Sequence, residues 1–349
     1  MMITNVNKLE KILLVGKKSY GSISWMYYRA FKKMVHNVKI FDDEALYFKN
    51  SLARNKYFHY FFWKILASPL QKEFIKTVRN EKPDLILVLK GWFFKPETLI
   101  KIKKENPQTK LFCFNGDNPF NTWHFSNSND WIIKSIPIYD CYFIWGKFLI
   151  EPLKKVGAKK VEYLPFAHDP ELHYPIKVNE KEKKFYGSDI AFIGTWDEER
   201  EELLNNLLDY NLKIWGNSWE KANKKLQKKW MKRTAIGEEF SKVCNSSKII
   251  LNLIRKQNIP AHNMRTFEVP ACKGFVLSTR TEEVLEFFEE GKEIECFSTI
   301  KELKEKIDYY LDHEKERKKI VEAGYKRLIN SKHTYEERAK KILEIYKNL

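Results

Sequence analysis

The sequence predicts an α/β protein built from two Rossmann-like domains in tandem. Each half opens with a short apolar run that ends at a glycine, first at Lys11–Gly16 and again at Asp189–Gly194. After each opening, further apolar runs alternate with segments of helical period. This alternation is typical of parallel strands that are covered by helices on both faces. A doubly wound sheet in each half is the simplest fold that accounts for the pattern.

Further strands are predicted wherever a short apolar run recurs. In the first half these runs are Asp84–Leu89, Lys110–Phe114 and Cys141–Trp145. In the second half they are Leu212–Gly216, Ile249–Leu253, Phe275–Ser278 and Ile294–Phe297. A chain of 349 residues is long enough for two domains of ordinary size.

Prolines indicate where the two domains meet. They punctuate Leu164–Pro170, Pro175 follows, and the charged segment Asn179–Lys184 after them is typical of a surface linker. We therefore expect an N-terminal domain over residues 1–172 and a C-terminal domain over residues 173–334.

The net charge and the cysteine content indicate which kind of partner and which cellular compartment to expect. The net charge of +17 favours an anionic partner, such as nucleic acid, acidic lipid or a phosphorylated small molecule, although lysines on solvated helix faces also account for it. Five widely spaced cysteines without a C-x-x-C pair indicate free thiols in a reducing cytoplasm. No signal-peptide pattern and no apolar run near the ~20 residues that span a bilayer occur in the sequence. We expect a cytoplasmic protein, either soluble or peripheral at the inner face of the membrane.

The segment Asn263–Ser278 is the most informative motif in the chain. It predicts a helix, a tight turn at Gly274 and a short apolar strand. Arg265 and Glu268 are three residues apart and therefore share one helix face. The first turn of such a helix favours bound anions, because unpaired backbone N–H groups point outward there. A cation for a diphosphate beside a carboxylate for ribose hydroxyls is the pair that a nucleotide-sugar site needs.

This segment resembles the C-terminal half of group 1 glycosyltransferases, most closely their spore-maturation-like (CgeB-type) branch. The likeness continues through Glu282–Glu293, Glu302–Ile307, Gly324, His333–Tyr335 and Arg338–Ala339. The resemblance implies a GT-B architecture, in which two Rossmann-like domains face each other across a cleft and the last helix, residues 335–349, packs back on the N-terminal domain. It also implies transfer of a sugar from a nucleotide-diphosphate donor to a hydroxyl of a glycan or glycolipid, with retention, in cell-surface polysaccharide synthesis.

Three residue groups in the second half are candidates for the donor diphosphate. Gly194 and Thr195 follow a predicted strand, and Arg200 lies in the segment that enters the next helix. The resemblance implies that Arg200 faces the diphosphate; the alternative is an exposed helix arginine paired with its acidic neighbours. Arg255 follows another strand end and either closes the phosphate pocket or lies on a surface loop.

The glutamate of the motif departs from the family pattern in one respect. Glu268 matches the ribose-binding glutamate of the family, but a second glutamate that many relatives carry eight residues upstream is replaced here by Pro260. The catalytic roles of that E-x7-E pattern therefore do not transfer directly. Further candidates for the nucleotide-sugar site are His262, Asn263 and Thr266.

On the acceptor side, the candidate catalytic residue is Asp117. It follows a strand within Phe114–Phe120, which is similar to the acidic D-D-P turn of the family. A carboxylate at such a strand end can orient or deprotonate an acceptor hydroxyl. The alternative is that Asp117 and Asn118 only build an Asx-type turn before Pro119. Other candidates on this side are Gly16, Tyr20, Asn118 and Lys90–Trp92.

The sequence predicts no protein-bound metal and no other cofactor. It contains no D-x-D triplet, no H-E-x-x-H and no compact Cys/His cluster, so arginine, lysine and helix N-termini would neutralise the diphosphate. The aromatic segment Tyr57–Leu66 and the basic segment Lys221–Arg233 suit contact with an anionic membrane that presents a lipid-linked acceptor. The alternatives are a core-facing helix and a solvated helix. Nucleic acid is not expected, because no binding-module signature occurs.

Two other classes of function stay open at this point. A nucleotide-sugar epimerase or hydrolase on the same scaffold would need further carboxylates and a histidine near the sugar. Only His36, His168 and His262 fall near suitable loops. A non-catalytic protein that binds nucleic acid or an anionic surface would instead use the charge of +17.

Overall fold

The computed structural model describes residues 9–121 and 128–349. The chain divides into two compact units, one formed by Met1–Pro165 with Tyr335–Leu349 and the other by Phe166–Thr334. The division lies inside the proline-rich stretch, somewhat before the boundary predicted at residue 172. The C-terminal residues 335–349 are part of the N-terminal unit.

The N-terminal unit contains a six-stranded sheet in which all neighbouring strands are parallel. Its strands are β1 (Lys11–Val15), β2 (Asn37–Phe41), β3 (Leu85–Leu89), β4 (Lys110–Asn115), β5 (Cys141–Ile144) and β6 (Val161–Tyr163). Their order in the sheet is β2-β1-β3-β4-β5-β6.

Helices connect these strands. They are α1 (Ile23–Lys32), α2 (Asp43–Phe48), α3 (Ser51–Arg54), α4 (Lys56–Leu66), α5 (Ser68–Glu81), α6 (Pro96–Glu105), α7 (Asp130–Ser135) and α8 (Ile150–Lys155). Short 3-10 helices lie at Ile136–Ile138 and Lys147–Leu149. The last helix of the chain, α17 (Tyr335–Lys347), packs on α1, where the rings of Tyr335 and Tyr27 meet edge to face at 5.1 Å.

The C-terminal unit contains a second parallel sheet, of five strands. The strands are β7 (Ile190–Ile193), β8 (Leu212–Trp215), β9 (Ile249–Asn252), β10 (Val276–Thr279) and β11 (Glu295–Phe297), in the order β11-β10-β9-β7-β8. The helices are α9 (Glu180–Tyr186), α10 (Glu198–Asn205), α11 (Lys224–Gln227), α12 (Glu238–Ser246), α13 (Arg265–Ala271), α14 (Glu282–Phe287), α15 (Ile300–Asp312) and α16 (Glu314–Asn330). Short 3-10 helices lie at Trp219–Lys221 and Lys256–Asn258.

Both predicted Rossmann-like domains are confirmed, and both share one strand order. In each sheet the second strand lies outside the first and the later strands continue on the other side, which is the flavodoxin-like variant of the doubly wound fold. The chain direction across the sheet therefore reverses between β1 and β3, and again between β7 and β9. Such a reversal leaves a crevice at the carboxyl ends of the two strands, where ligands bind in open α/β sheets.

The interiors are built from the apolar runs that predicted the strands. Every residue of β5, β7 and β9 is buried, as expected for parallel strands covered on both faces. Members of the C-terminal core from strands and helices pack together, among them Phe192, Ile214, Trp219, Leu251, Leu277 and Leu303. All five cysteines are buried and free, and burial raises the pKa of Cys141 and Cys296 to about 12. They behave as small apolar residues.

The segment Asn179–Lys184 is not a linker, contrary to the sequence-based expectation. It belongs to the C-terminal unit and opens helix α9. The side chain of Asn179 accepts from the backbone N–H of Glu182 at 2.9 Å, while the Glu182 carboxylate accepts from the backbone N–H of Asn179 at 3.0 Å. This reciprocal pair is a capping box, which satisfies two N–H groups and starts the helix.

The turn after α13 uses a different residue from the one predicted. Lys273, not Gly274, has the left-handed backbone, with φ of 56°. Gly274 is required for a close approach instead, because a Cβ atom there would lie 2.7 Å from Cγ1 of Val269. Its N–H bonds to the carbonyl of Val269 at 3.0 Å and closes the helix end.

Helix α4 exposes its aromatic residues, so the core-facing alternative for this segment is wrong. Trp63 is the one buried residue of the helix. Tyr57, Phe61 and Ile65 recur every fourth residue and are 75%, 70% and 70% exposed. They form an apolar stripe on the outward face of the helix.

The basic segment Lys221–Arg233 is not one continuous helix. It holds the short helix α11 and then a stretch of turns and bends with a single β-bridge residue, Trp230. Leu226 is fully buried in the core, and the indole N–H of Trp230 donates to the carbonyl of Gly216 at 2.8 Å. The apolar residues of the segment therefore pack in the C-terminal unit, and its lysines other than Lys229 are exposed.

Candidate functional site

The candidate site in the C-terminal unit begins where β7 ends. Gly194 and Thr195 lie in the loop from β7 to α10, directly beside the reversal between β7 and β9. Gly216, at the end of β8, supports this loop at very short range. A Cβ atom on Gly216 would lie 2.0 Å from the carbonyl oxygen of Gly194, and its φ is +154°. Only glycine allows this approach of two strand ends.

Arg200 folds back onto the loop instead of facing solvent. Its guanidinium donates to the carbonyl of Thr195 at 2.7 Å and lies over the ring of Phe192, 5.5 Å from its centroid. Burial and then repulsion from Arg255 and Arg265 lower the pKa of Arg200 to about 10, which keeps it charged at neutral pH. The exposed-arginine alternative is therefore not what the structure shows.

Asp197 organises two of these cations, although the sequence analysis did not select it. It caps α10 by accepting from the N–H of Arg200 at 2.9 Å. Its other oxygen lies 2.7 Å from Nε of Arg255 and 3.4 Å from the guanidinium of Arg200. An aspartate just before a helix that opens Glu-Glu-Arg was a visible N-cap signal. Its bond to Arg255, 58 residues away, was not visible.

Arg265 reaches from the start of α13 to the end of β7. Its Nε donates to the carbonyl of Ile193 at 3.1 Å, and its guanidinium lies 4.9 Å from the centroid of Phe240. Its Nη1 pairs with the carboxylate of Glu268 one turn along, as the spacing predicted. Arg200, Arg255 and Arg265 therefore converge at the carboxyl ends of β7 and β9.

Glu268 lies beneath Arg265 and is only 3% exposed. One carboxylate oxygen pairs with Arg265, and the other lies 3.6 Å from Nε2 of His173. Burial lowers the pKa of His173, which favours its neutral form at pH 7. In this arrangement Glu268 orients Arg265 and presents no oxygen to solvent.

The N-terminus of α13 offers fewer free N–H groups than expected. The helix has seven residues and contains Pro270. The N–H groups of Thr266 and Phe267 already bond to the carbonyls of Asn263 and Met264, at 3.3 and 3.0 Å. An anion here would therefore be held mainly by guanidinium groups.

His262 is a core residue in this structure and does not line the site. It is fully buried, its Nδ1 lies 2.7 Å from the carboxylate of Glu283, and its Nε2 accepts from the N–H of Phe166 at 3.2 Å. The rings of Phe267 and Phe287 enclose it edge to face. Direct contact with a donor sugar, which we expected, conflicts with this environment.

Asn263 and Thr266 lie closer to the site. The hydroxyl of Thr266 accepts from the amide of Asn252 at the end of β9, at 3.2 Å. The amide oxygens of Asn252 and Asn263 are buried and have no hydrogen-bond partner within residues 9–121 and 128–349. Buried unpaired acceptors are rare in proteins, and a ligand donor would satisfy them.

A cavity of about 220 Å³ opens beside two of the three arginines. Its lining includes Arg200, Leu253, Ile254, Arg255, Thr279 and Phe297. Sites for whole small molecules usually occupy ~300–1,000 Å³. This cavity is therefore large enough for one part of a nucleotide, such as its base.

In the N-terminal unit, Asp117 and Asn118 have different roles. The side chain of Asn118 accepts from the N–H of Phe120 at 2.9 Å, which is the Asx turn of the alternative hypothesis. The carboxylate of Asp117 takes no part in that turn. It lies 2.6 Å from Nζ of Lys90 at the end of β3 and is 41% exposed.

Of the other acceptor-side candidates, Gly16 lies at a strand end and Tyr20 does not. A Cβ atom on Gly16 would lie 3.1 Å from Cβ of Ser24 and 3.2 Å from Cβ of Leu89. Gly16 and Lys90 line a second cavity, of about 800 Å³. Tyr20 is exposed in a turn and is not among the residues that line this cavity.

Among residues 9–121 and 128–349, no group of three or more His, Cys, Asp or Glu side chains could hold a metal ion. Over that part of the chain, no helix combines the length and apolar character needed to cross a bilayer.

Comparison with known sequences points to one class of enzyme. Residues 199–344 match the family model described as "Glycosyl transferase-like". The chain is 23% identical to the spore protein CgeB of Bacillus subtilis (strain 168) over 291 residues, which covers 76% of this chain and 88% of CgeB.

Solved structures agree at the level of the fold. Sucrose-phosphate synthase of Thermosynechococcus elongatus is 11% identical, with a TM-score of 0.69 over 97% of this chain and 98% of that one. HepE of Anabaena, in complex with UDP and glucose, is 10% identical, with a TM-score of 0.66 over 97% and 100%. A glycosyltransferase of Rickettsia africae is 15% identical, with a TM-score of 0.64 over 97% and 98%.

Residues 199–344 therefore match a glycosyltransferase family by sequence, and the chain has the GT-B fold over nearly its whole length. Within that class its sequence is similar to the CgeB-type proteins, and the resemblance predicted from the motifs around Arg265 is confirmed.

Proposed function

We propose that the protein transfers a sugar from a nucleotide-diphosphate donor to a hydroxyl of a glycan or glycolipid, in polysaccharide biosynthesis. The observation that carries this proposal is the convergence of Arg200, Arg255 and Arg265 at the ends of β7 and β9. The carboxylates of Asp197 and Glu268 orient these cations. Guanidinium groups bind phosphate oxygens through paired, charge-assisted hydrogen bonds.

The structural relatives support a nucleoside diphosphate as the ligand. HepE was solved with UDP, with UDP and glucose, and with UDP-glucose. MnaA of S. aureus, 13% identical with a TM-score of 0.59 over 96% of this chain and 95% of that one, was solved with UDP.

The arginines would act most strongly on the leaving group. Negative charge develops on the diphosphate as its bond to the sugar breaks, and fixed cations that face this charge stabilise the transition state. Because side chains supply the positive charge, the proposed reaction needs no protein-bound metal. Retention of configuration at the transferred sugar is part of the proposal on the strength of the CgeB-type resemblance.

Asp117 is proposed to orient the acceptor hydroxyl or to take its proton. Its carboxylate is exposed at the end of β4, and Nζ of Lys90 at 2.6 Å holds it in place. A general base must lie within hydrogen-bond reach of the proton that it removes, and an exposed carboxylate at a strand end meets this requirement.

The burial of two histidines counts against the epimerase or hydrolase alternative. It needs an imidazole near the sugar, yet His262 is enclosed in the core. His168 is also buried, with Nδ1 2.8 Å from the carbonyl of His333. Two of the three histidines that this alternative could use are therefore taken by the interior.

Peripheral contact with an anionic membrane is also part of the proposal. The exposed stripe of Tyr57, Phe61 and Ile65 is flanked by Lys56 and Lys64 on the same helix. An apolar face bordered by lysines is the pattern of helices that lie in the membrane interface. Such a contact would bring the N-terminal unit to lipid-linked acceptors.

A thermal-shift panel tests donor binding. The purified protein is heated with UDP, GDP, dTDP or CMP, each at a high multiple of its expected dissociation constant. A ligand at about 100 times that constant stabilises the native state by about 2.7 kcal/mol. We expect at least one nucleoside diphosphate to raise the melting temperature by several degrees and CMP to have little effect. A panel in which no diphosphate raises it would contradict the proposal.

A further inference from the structure

The N-terminal unit holds a cavity that is much larger than the cavity beside Arg200 and Arg255. Its volume is about 800 Å³, within the range of ~300–1,000 Å³ that is typical of sites for whole small molecules. Gly16 at the end of β1 and Leu89 at the end of β3 line it. It therefore occupies the crevice where this sheet reverses direction, which is the expected place for a ligand.

One wall of this cavity is aromatic. It is formed by Phe48 of α2, Tyr57, Tyr60 and Phe61 of α4, and Trp92 and Phe93 after β3. Further ring contacts hold Trp92 and Phe93 in this wall. The ring of His59 stacks on Trp92 at 5.5 Å, and the ring of Tyr47 stacks on Phe93 at 4.3 Å. The wall is thus an ordered apolar surface, suited to a flat or aliphatic ligand body.

A buried carboxylate, that of Asp43, also lines the cavity. Asp43 is the first residue of α2 and is 5% exposed. The capping function belongs to its neighbour Asp42, whose oxygens accept from the N–H groups of Ala45 at 2.8 Å and Lys18 at 2.9 Å. The carboxylate of Asp43 takes no part in this cap. Within residues 9–121 and 128–349, no side chain forms a hydrogen bond or ion pair with it.

The buried carboxylate of Asp43 destabilises the folded state. Burial and the neighbouring charges of Asp42 and Glu44 raise the pKa of Asp43 to about 7. A buried ionisable group without a side-chain partner destabilises the native state, and such groups concentrate at functional sites. A ligand hydroxyl that enters the cavity would supply the missing hydrogen bond.

We propose that this cavity is the acceptor site, that Asp43 binds a hydroxyl of the acceptor, and that the acceptor is an amphiphile with an apolar body against the aromatic wall. This inference rests on the proposed function and defines its acceptor class. Lys90 lines the same cavity and pairs with Asp117, so the candidate base is linked to this cavity through Lys90. A wholly hydrophilic glycan would leave the aromatic wall without a partner.

Two glucosides that differ only in their apolar part test the ligand class. The probes are n-octyl β-D-glucopyranoside, kept below its micelle concentration, and methyl β-D-glucopyranoside. Binding is followed by tryptophan fluorescence, because Trp92 lies in the wall. We expect the octyl glucoside to bind at least about 10-fold more tightly than the methyl glucoside, as burial of apolar carbon on this wall predicts.

Variants locate the binding. Phe61→Ala removes part of the wall from an exposed helix position, and Phe62→Ala is the matched control, since Phe62 neighbours it but does not line the cavity. We expect Phe61→Ala to weaken octyl glucoside binding about 5-fold or more and Phe62→Ala to leave it unchanged. Asp43→Ala should weaken octyl glucoside binding about 10-fold, as expected for a lost hydrogen bond to a charged group. If that protein does not fold, Asp43→Asn keeps the shape and should weaken binding in the same direction.

UDP binding to the same preparations separates this inference from the proposed function. Two results would overturn the acceptor assignment in a protein that still binds UDP. The first is equal affinity for the two glucosides. The second is octyl glucoside binding that neither Phe61→Ala nor the Asp43 variant weakens. Absence of UDP binding to the wild-type protein would instead overturn the donor assignment.

Discussion

Glu268 shows how burial changes the role that a single residue can play. The sequence offered it as a ribose ligand, whereas the structure places it under Arg265, with its second oxygen near His173. The spacing of Arg265 and Glu268 was predictable from helix geometry. The orientation of the carboxylate toward the protein was not, because it depends on His173, a residue 95 positions away in the chain.

Glu268→Gln distinguishes the two roles. If Glu268 only orients Arg265, the variant weakens binding of UDP and of inorganic pyrophosphate by the same factor, about 10-fold. If it contacts the ribose, UDP binding falls and pyrophosphate binding does not. Isothermal titration calorimetry of both ligands measures this. Glu239→Gln, which breaks the exposed pair with Arg233, is the control and should change neither.

The carboxyl of Asp43 predicts an unusual dependence of stability on pH. Its folded pKa of about 7 lies above the value of ~3.9 that is typical of unfolded chains. Its contribution to stability is therefore complete below about pH 4 and is lost as the pH rises through about 7. Asp43→Asn lacks this loss, so it should be more stable than wild type at pH 8, by up to about 4 kcal/mol, and similar at pH 4.

Urea unfolding of both proteins between pH 4 and 8 measures this difference. Other titratable groups around the cavity are Asp42, Glu44, Lys17, Lys56, His59, Lys90 and Tyr139. The comparison cancels most of their effect, since both proteins carry them. If the difference in stability between Asp43→Asn and wild type is constant across this pH range, ionisation of Asp43 does not cause the loss of stability.

Among the strands, those inside the sheets were predictable and two edge strands were not. The missed strands are β2 and β6, which lie at the two ends of the N-terminal sheet. In β2 buried and exposed residues mix, and β6 has three half-buried residues. An edge strand pairs on one side only and needs no continuous apolar run, so the pattern that predicts central strands does not detect it.

Helix α4 was predictable as a helix, but its orientation was not. Almost every residue from Tyr57 to Ile65 is aromatic or aliphatic, so periodicity cannot select the face that packs. The structure selects the face of Trp63, whose ring packs on Trp92 at 4.6 Å and Trp131 at 4.5 Å. The opposite face remains open to solvent or to a partner.

The contact between the ends of β7 and β8 predicts the effect of Gly216→Ala. Both the positive φ and the clash with Gly194 oppose a side chain, so unfolding free energy should fall by about 3 kcal/mol or more and UDP binding should weaken. Gly291→Ala is the control. Gly291 also has a positive φ, but its nearest neighbour would be 3.9 Å from the new Cβ. It should cost about 1 kcal/mol. Equal losses would show that the contact contributes nothing.

In both units the sequence predicted the class of fold, and it selected the three arginines that converge at the ends of β7 and β9. Repeated apolar runs predicted two sheets, and a helix motif with its family resemblance selected Arg265 and Glu268. Asp197 and Asp43 were missed, because each acquires its role from residues that are distant in the chain. His262 was selected from its place beside the motif, and packing around Phe267 took it into the core.

The net charge of +17 and the stripe on α4 together predict binding to anionic vesicles. Replacing Tyr57, Phe61 and Ile65 by serine should weaken co-sedimentation with acidic phospholipid vesicles about 10-fold or more, and added salt should weaken the wild type. The matched control replaces three other exposed apolar residues by serine, namely Ile236, Leu285 and Ile329. If both triple variants bind like wild type, α4 is not the membrane contact.

The proposed function depends on one contact, in which the arginines at the ends of β7 and β9 hold the diphosphate of the donor. Isothermal titration calorimetry with UDP tests it most directly, on the wild type, Arg265→Ala and the control Arg233→Ala, whose arginine is exposed and paired with Glu239 in the same unit. We expect Arg265→Ala to weaken UDP binding about 100-fold, close to 2.7 kcal/mol, and Arg233→Ala to bind UDP like wild type. Wild-type affinity in a folded Arg265→Ala protein would contradict it.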